Sequence, residues 1–192
     1  MAEKRKTRFS LLPYQILARR WMIPAILMIP AGYGFMWSVL QIEQFNPAYA
    51  DLGWIISIAG GILTLYTVMA GLSHVTIQED RFILRAPIHP MAISYKRVKL
   101  VHPMEFRLLF PRNKVKRLHY KMYHKLWGLT VPVVLLEGFP LPRWWLKLWF
   151  HPLLIHPDED GIILVVKDWM ACSRALDTMR TDSTRTPWQS LR

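Results

Sequence analysis

The side chains able to do chemistry in this chain are few and scattered. Seven histidines stand at positions 74, 89, 102, 119, 124, 151 and 156. His89, His102, His151 and His156 each precede a proline, which reads as turn geometry. His119 and His124 are five apart, so they do not share a helix face as metal ligands four apart do. Asp158, Glu159 and Asp160 gather carboxylates, but no nucleophile or base stands at a spacing that would use them, and they read as a solvated turn. Cys172 is the only cysteine. It excludes an internal disulfide and a multi-cysteine zinc site, and it reads as core on the apolar face of a helix. There is no G-x-S-x-G, no glycine-rich phosphate loop and no H-E-x-x-H. The expectation is therefore a non-enzymatic protein with no metal and no cofactor. An enzyme whose site follows no recognised pattern is the alternative left open.

What the chain has in quantity is positive charge interleaved with aromatic residues. It carries 25 basic and 13 acidic residues, a net charge of +12. The densest basic stretch runs from 107 to 127, with Arg112, Lys114, Lys116, Arg117, Lys121 and Lys125. Within it Val115, Leu118, Met122 and Leu126 fall close to helical spacing. Such a basic amphipathic helix either lies on a membrane surface or packs on its own domain. The stretch from Pro140 to Pro157 holds Trp144, Trp145 and Trp149 among leucines. It is too short and too polar to cross a bilayer. Tryptophan favours the membrane interface, where ring and N–H are both satisfied, so a shallow insertion is expected. A loop packed under a sheet or against a partner subunit is the other reading. These nine residues, from Arg112 to Trp149, are the expected lipid-contact set. The partners they imply are anionic lipids of the cytoplasmic leaflet and other membrane proteins. Nucleic acid is the rival partner for so basic a chain, but a tethered domain meets lipid first, so it is not expected.

The element that would position these residues lies earlier. Trp21 to Ile42 and Leu52 to Ser73 contain no charged side chain, and each has the length of a membrane crossing. Polar, turn-forming residues separate them from Glu43 to Asp51, which predicts a transmembrane hairpin. Lys4, Arg5, Lys6, Arg8, Arg19 and Arg20 precede it, Arg81, Arg85, Lys96, Arg97 and Lys99 follow it, and the loop is acidic. Both termini are therefore expected in the cytoplasm, in a multi-pass protein of the inner membrane. Gly32, Gly34, Gly60, Gly61 and Gly71 serve either packing within the hairpin or docking of another membrane protein. Residues 1–20 read as a basic leader, either anchored at the interface or a plain juxtamembrane tail.

Beyond Ser73 the period changes. HVTIQEDRFILRA (74–86) and MAISYKRVKLV (91–101) read as antiparallel strands, with Ile93, Tyr95, Val98 and Leu100 inward. GLTVPVVLLEGF (128–139) reads as a buried strand that Pro132 confines to an edge or a bulge. GIILVVKD leads into a helix from Trp169 to Met179, capped by Asp168, with a polar tail over 181–192. A hairpin, these strands and the late strand–helix pair resemble the bacterial pleckstrin-homology-like membrane proteins. The resemblance implies an α+β membrane protein: a transmembrane hairpin over 21–73, then a cytoplasmic domain over 74–180. That domain would be a small antiparallel sheet closed by a C-terminal helix, with insertions at 107–127 and 140–157. The implied role is a scaffold, assembly or accessory factor. A structural subunit of a larger respiratory or photosynthetic complex is the alternative.

Overall fold

A computed structural model describes residues 7–41, 49–112 and 120–184. The fold is α+β and divides into two units: residues 14–72, and the remainder of the chain.

The first unit is a pair of helices, α1 (Leu12–Gln41, its first residues belonging to the other unit) and α2 (Ala50–Gly71). Both are long and apolar enough to span a membrane, and most of each lies unburied. The helices meet through small residues. A Cβ built on Gly53 would lie 2.7 Å from the Gly32 carbonyl oxygen, and one on Gly60 would lie 2.9 Å from the Met28 Cβ. Ser57 Oγ donates across the pair to the Ile29 carbonyl at 3.1 Å. Met36, Val39 and Ala50 close one end. Pro24 and Pro30 sit inside α1, which nevertheless continues through both. Of the expected loop, residues 43–48 lie outside the described residues.

The second unit holds two antiparallel sheets and a closing helix. One sheet has the order β1 (Thr7–Ser10), β2 (His74–Ile77), β3 (Arg81–Arg85), β4 (Pro90–Ser94). The other has the order β5 (Val98–Glu105), β6 (Thr130–Leu136), β7 (Gly161–Ile163). A single turn, Tyr95–Arg97, carries the chain from β4 to β5. Helix α6 (Trp169–Thr184) packs on both sheets. Asp168 Oδ1 caps it by accepting from the Ala171 N–H at 2.9 Å. Cys172 and Leu176 face the core with Val75, Phe82, Ile93, Val133 and Ile163.

Four expectations are corrected. The basic leader is no free tail: Thr7–Ser10 forms β1, pairing Ser10 with His74, so the helix pair is inserted between two bonded strands. The chain is then tied on through Leu11, whose N–H donates to the Ser73 carbonyl just before β2, and Leu12, whose N–H donates to the Val165 carbonyl just past the end of β7. Pro132 is not at an edge, since β6 is the central strand. It is tolerated because the last β6–β7 pair is Val133–Ile163, so the missing donor falls past the end of β7, and the Pro132 carbonyl accepts from the Leu164 N–H. Leu100 is 46% exposed, because the register shifts between Val98 and Leu100 and turns it outward. The C-terminal helix runs past Met179 to Thr184.

Cys172 is fully buried, and its thiol is pushed up to about 12, first by burial and then by the Asp168 carboxylate. Below about pH 9 folded and unfolded thiols both hold their proton, and this group adds no pH dependence. As pH rises from about 9 towards about 12 only the unfolded thiol ionises, so stability falls. The expected result is that maleimide at pH 7.5 leaves Cys172 unlabelled in the folded chain and labels it in denaturant. Rapid labelling without denaturant would refute this burial.

Candidate membrane-facing site

The tryptophan-rich stretch folds as a two-turn helix, α5 (Arg143–Trp149). Gly138, at φ +155°, makes the turn out of β6 that precedes it, a conformation open to glycine. Pro142 then sets the extended residue before the first turn. Leu146, buried, and Phe150, just after the helix, anchor the inner side. Trp144 and Leu148 point outward, 66% and 65% exposed, with Lys147 exposed beside them. Trp145 stacks edge-on against Trp144 at 5.4 Å and packs against Trp149 at 5.7 Å, so the rings form one row. Arg143 Nε donates to Asp160 Oδ1 at 2.9 Å, and its guanidinium lies 6.0 Å from the Phe139 ring centre. The acidic turn expected to be merely solvated therefore fixes one end of α5.

The basic stretch is arranged differently from expectation. Phe106–Leu109 forms one turn of helix, α3, and Tyr120–His124 forms another short helix, α4. Of the expected helical stripe, Val115 and Leu118 lie outside the described residues, Met122 is in α4, and Leu126 lies in a turn after α4 and is buried there. Phe106, Phe110 and Tyr123 hold the region as an aromatic cluster, with Phe106–Phe110 centroids 5.0 Å apart. Burial holds the Tyr123 phenol above its usual range. Arg112 lies 5.5 Å from the Tyr120 ring centre, a cation–π contact. Lys125 is exposed just after α4, and Lys121 is within it. Lys114, Lys116 and Arg117 lie outside the described residues.

Of the expected tryptophans, Trp144 protrudes and Trp145 and Trp149 are half-buried. Leu148 joins Trp144 outward, and sequence reasoning missed it; the signal was its spacing of four from Trp144. Among the described residues no three His, Cys, Asp or Glu side chains gather where they would hold a metal ion. No protein-family model, curated protein or solved structure matches this chain.

Proposed function

We propose that this chain is a non-enzymatic integral membrane protein, with a pleckstrin-homology-like domain held on the anionic cytoplasmic leaflet as a scaffold or accessory factor for other membrane proteins. The observation that carries the reading is the helix pair. Residues 21–41 of α1 and 52–71 of α2 bear no charge, and Ile23, Leu27, Ile55, Ile58, Ile62 and Leu65 all point away from the pair. Water does not tolerate so long an apolar surface, whereas hydrocarbon does. Antiparallel strands closed by a late helix support the likeness to the family. The basic flanks support cytoplasmic termini, and in this reading both strands that border the hairpin lie on that side. The outward Trp144 and Leu148, with Lys147 between them, suit the depth where headgroups meet acyl chains.

The test uses the full chain in nanodiscs. Leu148→Cys, labelled with a fluorophore while Cys172 stays buried, is expected to be quenched by lipids brominated near the headgroup more than by lipids brominated near the chain ends. Replacing phosphatidylglycerol with phosphatidylcholine is expected to weaken that quenching. An unquenched label would remove the lipid-contact role of α5. Release of the protein from cell membranes by carbonate would remove the membrane reading itself.

A second reading, a subunit of a larger membrane complex, is favoured by Gly34 and Gly61, beyond which there is open space. Gentle detergent extraction and sizing separates the two: a lone small particle goes against the complex.

A further inference from the structure

We propose that the cleft beneath α5 is a binding site for a phosphate group. The cleft measures about 280 Å³ and is lined by Phe110, Arg143, Lys147 and His156, with Pro152 and Pro157. That is slightly below the roughly 300 Å³ at which pockets for drug-sized ligands begin, so its occupant is a small group or the end of a larger molecule.

Its chemistry is cationic. Arg143 and Lys147 are four apart on one helix, a like-charge spacing that disfavours the helix. Among the described residues no carboxylate lines the cleft to offset it. Asp160 does bind Arg143, but through Nε, one of five guanidinium N–H groups. That bond fixes the plane of the guanidinium and also competes with an incoming anion for its charge. His156 is buried, and its Nδ1 accepts from the Glu159 N–H at 2.9 Å and the Asp158 N–H at 3.4 Å. A ring nitrogen that accepts leaves Nε2 as the donor of the neutral imidazole. A guanidinium fork, an ammonium and an imidazole N–H together suit a group with three or more acceptor oxygens, which a phosphate offers and a carboxylate does not.

Two sources share that chemistry, a lipid headgroup and free phosphate. Trp144 and Leu148 stand exposed on the helix that supplies Arg143 and Lys147, which favours the headgroup. That preference rests on the proposed interfacial role of α5; the phosphate site does not.

The experiment is calorimetry on the full-length chain in maltoside micelles at fixed pH. The titrants are sodium phosphate, dihexanoyl phosphatidic acid and, as the zwitterionic control, dihexanoyl phosphatidylcholine. Phosphatidic acid is expected to saturate one site with Kd below about 1 mM, and Lys147→Gln to weaken it about tenfold, the loss of one charge-assisted hydrogen bond. Lys147 is exposed, so this variant leaves the core intact. Arg143→Gln is expected to do at least as much but also removes the Asp160 pair, so Lys147→Gln decides. Trp144→Ser with Leu148→Ser is expected to leave micellar binding unchanged, which keeps this test separate from that of membrane insertion. Saturation by phosphatidic acid alone supports the site and assigns the headgroup as its source. Equal saturation by sodium phosphate supports the site and assigns free phosphate. No saturation by either, or binding that Lys147→Gln leaves untouched, overturns the proposal.

Discussion

Gly53→Leu is expected to force α1 and α2 apart and to cost about 3 kcal/mol or more, the upper end of overpacking effects. The backbone atoms in the way are the Gly32 carbonyl oxygen at 2.7 Å and the Met36 nitrogen at 2.9 Å from where a Cβ would stand, with the Met36 Cβ beside them at 2.7 Å. None can rotate aside as the end of a flexible side chain would. For a pair that lies in hydrocarbon, as proposed, no hydrophobic force draws the helices back together, so association depends on close fit and on the Ser57 hydrogen bond to the Ile29 carbonyl. Gly34→Ala and Gly61→Ala are the controls. A Cβ added at either position would meet no other element within 4 Å among the described residues, and alanine is favoured over glycine inside a helix by up to about 1 kcal/mol. Melting of the detergent-solubilised chain reads the difference. If Gly53→Leu melts with these controls, the close crossing is not what holds the pair.

Leu11→Ala is expected to destabilise the sheet unit by about 2–5 kcal/mol, the range for emptying a buried leucine site. Leu11 is fully buried, bridges to Val166 and follows β1 directly, so it joins the first sheet to the segment between β7 and α6. Opening of that unit exposes Cys172, and the rate of thiol labelling in mild denaturant is the measurement. A cost of about 3 kcal/mol raises the open population by about 100-fold. Phe9→Ala, at a half-buried position of β1, is expected to do less. Equal, small effects from both would show that β1 rests on the sheet without supporting it.

The helix pair was legible because its signal is compositional: two uncharged apolar runs of crossing length need no partner to be seen. The β2–β3 hairpin was legible for a similar reason, since Glu79 and Asp80 mark its turn and the flanks are β-formers. Strand β1 was not. Thr7 to Ser10 carries one aromatic and one arginine, and what makes it a strand is β2, which returns only after the whole helix pair. Strand preference of that kind is set by tertiary context rather than by local sequence. Pro132 misled for the same reason, because its tolerance depends on where β7 stops. In the candidate site, the tryptophans drew notice by composition, whereas Leu148 looked ordinary until its helix placed it beside Trp144. His156 read as turn chemistry, and it does brace a turn through Nδ1; its place beside Arg143 and Lys147 depends on the Asp160 contact, which joins residues 17 apart in the chain.

The pairing of Ser10 with His74 also imposes an order on biosynthesis. A chain emerging from the ribosome presents its first strand long before the mate exists. At about 5–20 residues per second, several seconds separate the two, and both long helices are made in that interval. Completion of the sheet unit therefore waits on synthesis of the whole helix pair. A chain stalled at that step strands an orphaned edge, open to proteases and chaperones, which makes completion of the helix pair a condition for survival of the rest of the molecule.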